Sequence, residues 1–201
     1  MVLLILAACS GTGKSTLGRL LRARQPNLRL SVSHTTRAPR PGEAEGVDYH
    51  FVDRPTFEAL VVAEGFAEWA QYAGNLYGTA HSTIAAAEAA GHDLLFDVEV
   101  VGAGNLKRAF PDAVACFLLP PTWPEVERRL RSRGTETEAS VARRLATGRW
   151  ELGHAHTFDY LVINEVLERA VDDLDAIYRA ARQRTPARLA HLERLRAEAG
   201  A

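Results

Sequence analysis

The sequence predicts an α/β fold in which helices flank a parallel sheet, and two observations carry this prediction. Short runs rich in Val, Leu and Ile alternate with helical patterns along the chain, an order typical of parallel sheets. The runs are apolar throughout, as expected for strands that are covered on both faces. The predicted core strands lie at residues 2–7, 28–33, 94–98, 113–119 and 161–163.

Composition and charge exclude several classes of protein. The chain of 201 residues is long enough for one domain with one sizeable core. Its 24 Lys and Arg nearly balance 25 Asp and Glu, so no overall basic field predicts binding to nucleic acid. No apolar stretch approaches the ~18 residues that span a bilayer, and two cysteines are too few for a disulfide framework or a zinc site. We therefore expect a cytoplasmic protein that binds neither nucleic acid nor membranes.

Capping residues predict where three of the helices begin or end. Asp53 is a predicted N-cap, and Gly91 follows a helical pattern as a C-terminal glycine would. Thr122 is followed three residues later by Glu125, which is the pattern of a capping box. Two further helices are predicted toward the C-terminus, at residues 165–184 and 186–199. The last of them has the composition of a packing or partner element.

A glycine-rich stretch, AACSGTGKST, follows the first strand and leads into a helix. In such a loop the backbone N–H groups point at phosphate oxygens, and the N-terminus of the helix adds a positive end. Lys14 is predicted to reach the transferred phosphate, and the Ser15 hydroxyl to bind Mg²⁺. Ala8 stands where the pattern asks for glycine, which is tolerated if its φ is negative. The predicted nucleotide-binding residues are Ala8, Cys9, Ser10, Gly11, Thr12, Gly13, Lys14, Ser15 and Thr16.

Two arginines mark the segment SVSHTTRAPRPGEAEGVDYHFV. Arg37 and Arg40 are separated by Ala-Pro, and the proline stiffens their spacing, so two guanidinium groups can converge on one phosphate. The acidic residues Glu43, Glu45 and Asp48 leave a solvated loop as the alternative interpretation.

Three stretches together resemble guanylate kinase: SVSHTTRAPRPGEAEGVDYHFV, EWAQYAGNLYGT and RLRSRGTETEASVARRL. The similarity runs from residue 2 to about residue 180. Guanylate kinases phosphorylate GMP to GDP with ATP, so the resemblance implies direct in-line transfer to GMP or dGMP, with ATP as donor and Mg²⁺ as cofactor. It also implies a phosphate-loop NTPase core with an inserted GMP-binding lobe and a helical lid. A homo-oligomer is compatible with the sequence.

The predicted organisation is a single guanylate kinase-like domain. The GMP-binding lobe, at about residues 33–81, has short alternating runs and seven of the 15 aromatic residues. The lid is expected at about residues 132–154. The core comprises about residues 2–32, 82–131 and 155–184, and the C-terminal helix about residues 186–199.

The resemblance implies which side chains hold the phosphate of GMP. These are Arg37 and Arg40, together with the hydroxyls of Tyr49 and Tyr77, which can donate to phosphate oxygens. From the residues alone, the two tyrosines could equally be core aromatics of a small sheet.

The guanine base is read, by the same resemblance, by Glu68 with the hydroxyls of Ser33 and Thr79. Guanine offers the N1–H and N2–H donors beside the O6 acceptor, so a carboxylate and a hydroxyl complement it, whereas adenine leaves buried groups unpaired. Gly78 lies in the same motif and is assigned to the substrate site. The alternative for Glu68 is a surface acid beside a core Trp69.

Two carboxylates, Asp97 and Glu99, end the strand LLFDVE. An acid there can hold Mg²⁺ through water or bind an edge of the substrate. Guanylate kinases usually carry Asp where this chain has Glu99, and Gln where it has Val101. A shift in base selectivity is therefore possible.

The resemblance implies that the lid supplies Arg133 and Arg144 to the ATP phosphates, where guanidinium groups stabilise charge as closure excludes water. The neighbouring Arg131 and Arg143 fit an exposed helix face. From the residues alone Asn164 is a candidate helix cap, whereas the resemblance implies a residue near the adenine at this position. The predicted catalytic residues are Lys14, Arg37, Arg133 and Arg144.

Two alternatives remain open at this stage. A ribose 1,5-bisphosphate phosphokinase would share the phosphate loop but has no use for the EWA carboxylate. A guanylate kinase-like binding module without catalysis would typically have a degraded phosphate loop, whereas Lys14 and Ser15 are intact here.

Overall fold

Nine strands and eight α-helices make up the described part of the chain, which comprises residues 1–9, 11–132 and 137–200 of a computed structural model. The strands are β1 (Leu3–Ala8), β2 (Leu28–Leu30), β3 (Ser33–Thr35), β4 (Tyr49–Phe51), β5 (Phe66–Tyr72), β6 (Asn75–Ala80), β7 (Asp93–Asp97), β8 (Val114–Leu119) and β9 (Tyr160–Ile163). The helices are α1 (Lys14–Arg24), α2 (Arg54–Val62), α3 (His81–Ala89), α4 (Val100–Ala109), α5 (Trp123–Arg131), α6 (Glu138–Gly153), α7 (Leu167–Ala181) and α8 (Thr185–Ala199). The predictions for Ser10 and Arg133 lie outside the described residues.

Five strands form a parallel sheet in the order β2-β7-β1-β8-β9. Side chains of β1 enter two cores, because helices cover both faces of this sheet. Leu4 and Leu6 pack in a cluster with residues of α1 and α7, whereas Ile5 and Ala7 pack in a second cluster with residues of α3 and α4. This arrangement confirms the predicted α/β fold and explains why the strand sequences are apolar without alternation.

The prediction of one core strand over residues 28–33 is wrong. β2 ends at Leu30, and the N–H of Ser31 still donates to the Leu95 carbonyl at 2.9 Å. Two residues later, at Ser33, the chain begins β3, which belongs to another sheet. No glycine or proline marks the crossing, so the sequence carries no local signal for it.

A second sheet of four strands has the order β4-β3-β6-β5. β3 pairs parallel with β4 and antiparallel with β6, and β5 pairs antiparallel with β6. The sheet contacts α4, where the side-chain amide of Asn105 donates to the Trp69 carbonyl at 2.9 Å. Since α4 begins directly after β7, this contact places the second sheet beside the carboxyl end of the parallel sheet.

Two of the three predicted caps are confirmed. The Asp53 carboxylate accepts the N–H three residues later at 2.9 Å, and Gly91 follows α3 with a left-handed φ of +70°. The capping box at Thr122 is wrong, because this side chain forms no cap hydrogen bond in the described structure. Glu125 instead pairs with two arginines of its own helix, at 2.6 and 2.7 Å.

The two C-terminal helices differ in their packing. α7 is shorter than the predicted residues 165–184, and its buried Tyr178 donates a hydrogen bond to Asp93 at 2.6 Å. None of the fifteen residues of α8, all of which are described, is buried. Within the described residues, no helix has both the length and the apolar character needed to cross a membrane. The division into core, lobe, lid and C-terminal helix stays a prediction.

Candidate active site

A cavity of about 320 Å³ lies between the carboxyl end of the parallel sheet and the second sheet. It brings together residues predicted from the phosphate loop, the arginine segment, the second sheet and the lid. The predicted residues that line it are Ala8, Cys9, Gly11, Thr12, Gly13, Lys14, Ser15, Thr16, Ser33, Arg37, Arg40, Tyr49, Glu68, Tyr77, Asp97, Glu99 and Arg144. Gly78, Thr79 and Asn164 lie behind this wall rather than in it.

The phosphate loop depends on glycine at two positions. Gly11 and Gly13 have φ values of +89° and +91°, in the left-handed region that other residues rarely adopt. Gly13 immediately precedes α1, so the N-terminus of that helix points into the cavity. Ala8 is the last residue of β1 and has ordinary strand conformation, which explains why alanine is tolerated there.

Asn164 supports the loop from behind. Its side-chain amide donates to the Thr12 carbonyl at 2.6 Å, and its backbone N–H donates to Leu119 at 2.8 Å. The residue that caps α7 is Val166, so the interpretation of Asn164 as a helix cap is wrong. A side chain on Gly13 would lie only 2.9 Å from this amide, which adds a second reason for glycine.

Lys14 and Ser15 both face the end of β7. The Lys14 ammonium lies 2.6 Å from Asp97 Oδ1 and donates to the Val98 carbonyl at 2.5 Å. The Ser15 hydroxyl donates to Asp97 Oδ2 at 3.3 Å. The predicted phosphate-binding lysine and the predicted metal-binding hydroxyl therefore share one carboxylate.

Arg37 is held by Glu43, which was expected to belong to a solvated loop in the alternative interpretation. Arg37 Nη2 lies 2.9 Å from Glu43 Oε1, and Arg40 donates its backbone N–H to Glu43 Oε2 at 2.7 Å. The hydrogen bond between the Arg37 guanidinium and Glu43 raises the pKa of Arg37. Burial raises the pKa of Glu43, but the contacts with Arg37 and Arg40 outweigh it and the pKa is lowered. The solvated-loop interpretation is therefore wrong for this pair.

Tyr49 and Tyr77 are neighbours in the cavity wall, with ring centroids 6.0 Å apart in an edge-to-face arrangement. The Arg37 guanidinium lies over the Tyr49 ring, 5.3 Å from its centroid. Burial, with a smaller contribution from Asp97, raises the pKa of Tyr49 to about 12. This phenol is therefore a hydrogen-bond donor at neutral pH.

Glu68 is buried, with 8 % of its surface exposed, whereas the adjacent Trp69 is 44 % exposed. A bulge between Phe66 and Glu68 shifts the register of β5 against β6 and turns the carboxylate inward. The fully buried Thr79 donates its hydroxyl to Glu68 Oε1 at 2.8 Å. Burial raises the pKa of Glu68 to about 7; Thr79 opposes this shift and Glu99 adds to it. The interpretation of Glu68 as a surface acid is therefore wrong.

Glu99 is the N-cap of α4. Its two carboxylate oxygens accept the backbone N–H groups of Val101 at 2.7 Å and Gly102 at 2.6 Å. A Cβ on Gly102 would lie 3.1 Å from Glu99 Oε1 and 3.5 Å from Glu68 Oε2. The carboxylates of Glu68 in β5 and of Glu99 before α4 therefore both approach Gly102, which has no side chain.

Gly78 lies in β6 where there is no room for a side chain. An added Cβ would lie 2.9 Å from the Phe66 ring and 3.0 Å from the Phe57 ring. The glycine therefore lets the aromatic core of the second sheet pack directly beneath the strand that carries Tyr77 and Thr79.

The sequence analysis missed several residues of the cavity wall, namely Ala70, Tyr72, Val98, Gly102 and Glu151. Glu151 follows Val141, Leu145 and Gly148 on the buried stripe of α6, and this spacing is the signal that could have found it. Cys9 donates its thiol to the Gly148 carbonyl at 3.2 Å, and burial raises its pKa to about 12 with a contribution from Glu151. Cys9 is therefore a packed, neutral thiol.

Comparisons with known proteins all indicate one family. The sequence model of the family described as guanylate kinase matches residues 1–181. A guanylate kinase of Thermus thermophilus is 49% identical over 183 residues, which cover 91% of this chain and 83% of the relative. One of Dechloromonas aromatica is 45% identical over 179 residues, which cover 89% of each chain. The crystal structure of guanylate kinase from Anaplasma phagocytophilum superposes with a TM-score of 0.75 and 31% identity, covering 92% of this chain and 87% of that one. The chain belongs to the guanylate kinase family.

Proposed function

We propose that the protein transfers the γ-phosphoryl group of ATP to GMP or dGMP, giving ADP and GDP or dGDP. The observation that carries the proposal is that one cavity is lined both by Lys14 of the phosphate loop and by the buried carboxylate of Glu68. Two arginines and two phenols, those of Arg37, Arg40, Tyr49 and Tyr77, line the same cavity. The cavity can therefore hold two phosphorylated substrates with their phosphates facing each other.

The acceptor phosphate binds to Arg37, Arg40, Tyr49 and Tyr77 in this proposal. The Arg37 guanidinium is fixed by Glu43 and rests on the Tyr49 ring, so little side-chain freedom is lost when the phosphate binds. The phenol of Tyr49 stays protonated and donates. These groups neutralise the dianionic phosphate and orient one oxygen toward the donor.

The base binds at Glu68, with Ser33 beside it and Thr79 holding the carboxylate. Thr79 occupies Oε1, which leaves Oε2 directed to the side of Gly102 and Glu99. Guanine presents N1–H and N2–H donors on one edge, which complement carboxylate oxygens. Adenine has an unprotonated N1 on that edge and would face a buried carboxylate with a lone pair, so it is rejected.

The donor phosphates bind to the N–H groups of the phosphate loop and to Lys14. Ser15 and Asp97 supply a hydroxyl and a carboxylate, the oxygen ligands that Mg²⁺ prefers, and in the described residues no group of three or more His, Cys, Asp or Glu side chains could hold a metal. This fits a cation that takes most of its ligands from phosphates and water. When bound, Mg²⁺ neutralises charge on the β- and γ-phosphates.

Transfer needs positioning and charge stabilisation, without a covalent intermediate. Lys14 leaves Asp97 for the phosphoryl oxygens, and Arg144 approaches them from α6, with Arg133 predicted to join it. Closure of the lid excludes water and strengthens these interactions. A ribose 1,5-bisphosphate phosphokinase is not favoured, because its acceptor has no base to bind the buried Glu68.

The proposal is tested by ADP formation from Mg-ATP with one acceptor at a time: GMP, dGMP, AMP, CMP, UMP or ribose 1,5-bisphosphate. Fast turnover with GMP and dGMP alone is expected. Preference for the sugar bisphosphate would move the protein to the other kinase class. Binding of ATP without turnover of any acceptor would identify a binding module.

A further inference from the structure

The first turn of α4 has a residue without a side chain on the side that faces the cavity. Gly102 is buried there, on the third residue after the cap, and lines the cavity. Its φ lies outside the left-handed region, so the backbone conformation does not require glycine. The need for glycine, if any, comes from the surrounding atoms.

Those atoms are one carboxylate oxygen each of Glu99 and Glu68, and the Cβ of Val98 at 3.5 Å. An added Cβ would lie 3.1 Å from Glu99 Oε1, which is tighter than ordinary van der Waals contact, and 3.5 Å from Glu68 Oε2. Glu99 has little freedom to move away, because both of its oxygens cap α4 at 2.6 and 2.7 Å. Glu68 is similarly held by the Thr79 hydroxyl at 2.8 Å. A side chain here would therefore occupy the space between two fixed carboxylates.

We propose that Gly102 is a specificity-determining residue for the acceptor base, because its missing side chain lets the carboxylates of Glu68 and Glu99 together receive the N–H donors of guanine. The inference rests on the proposed function and adds a residue to it. The comparison of GMP with IMP isolates the 2-amino donor, since this group is the only difference between guanine and hypoxanthine, the base of IMP. A methyl group between the carboxylates would remove water from both without donating a hydrogen bond.

The test is Gly102→Ala, with kcat/KM measured for GMP and for IMP at saturating ATP. We expect kcat/KM for GMP to fall about tenfold or more and that for IMP to fall less, so that the GMP/IMP ratio shrinks. KM for ATP should stay within about twofold, because the phosphate loop is untouched.

Gly104→Ala is the matched control. This glycine lies in the same helix, and its added Cβ would meet only Arg108 Nη1, at 3.7 Å. An unchanged GMP/IMP ratio in this variant is expected. An equal change in both variants would assign the effect to the helix rather than to the carboxylates, and would overturn the inference, as would an unchanged ratio in Gly102→Ala.

A second measurement separates positioning from folding. In the Glu99→Ala background the oxygen nearest to the added methyl is absent, so Gly102→Ala should change the GMP/IMP ratio less than it does in the native chain. If Gly102→Ala alone does not fold, the test is the comparison of the GMP/IMP ratio between Glu99→Ala and the double variant. An undiminished effect in this background would contradict the proposed mechanism.

Calorimetric titration of GMP and IMP distinguishes failure of this inference from failure of the proposed function. A native protein that does not phosphorylate GMP refutes the proposed function. The ratio of the two dissociation constants in native protein and in Gly102→Ala still tests the role of Gly102. A ratio equal in the two proteins refutes it.

Discussion

Lys14 and Asp97 form an ion pair of 2.6 Å at the junction of the phosphate loop and the end of β7. The ammonium also donates to the Val98 carbonyl at 2.5 Å. A phosphate entering the loop competes with one carboxylate and one carbonyl for this cation. The lysine can thus change partners without leaving the cavity.

Lys14→Ala should reduce kcat by about 10²-fold or more, because it removes the cation that stabilises charge on the transferred group. The measurement is steady-state ADP formation with GMP. Lys107→Ala is the control, since Lys107 is paired with Asp159 at 2.8 Å outside the cavity wall. A comparable loss of kcat in both variants would show that lysine removal acts through folding.

Glu68→Gln should make the protein more stable at pH 8 but not at pH 4. The folded-state pKa of Glu68 is about 7, above its ordinary value of 4.5, so the folded state binds more protons than the unfolded state between these values. The contribution of Glu68 to stability therefore falls as pH rises from about 4.5 through 7, and the glutamine variant lacks this loss. The expected gain at pH 8 is on the order of 1–3 kcal/mol, measured by urea unfolding. A gain that is equal at both pH values would mean that Glu68 does not titrate in this range.

Glu43→Gln should raise KM for GMP about tenfold while leaving KM for ATP unchanged. The ion pair that orients Arg37 is lost, although the amide oxygen can still accept from the Arg40 backbone. Glu45→Gln is the control, because Glu45 accepts from the Phe51 N–H at 2.8 Å and pairs with His50 instead. A similar rise of KM in this control would assign the effect to the loop as a whole.

The parallel sheet and the phosphate loop could be predicted from the sequence because their determinants are local. Apolar runs specify buried strands, and Gly11 and Gly13 specify a left-handed turn. Glu68 could be assigned only through the family resemblance, because its burial depends on a bulge in β5 and on Thr79 from the neighbouring strand. The role of Gly102 could not be predicted from the sequence. It depends on the packing of α4 against β5, and no spacing of residues in the sequence indicates that contact.

Both cysteines should resist alkylation by iodoacetamide at pH 8 in the folded protein. Cys9 and Cys116 are buried, and burial raises the pKa of each to about 12, so only about 10⁻⁴ of either thiol is ionised. Labelling followed by mass spectrometry of the peptides should show at least about 100-fold slower reaction than in urea, where both react. Cys116 is the internal control, because it lies in the middle of β8, whereas Cys9 is covered by Gly148 of α6. Fast labelling of Cys9 alone would mean that α6 separates from the phosphate loop in solution, and slow labelling of both would mean that this contact persists.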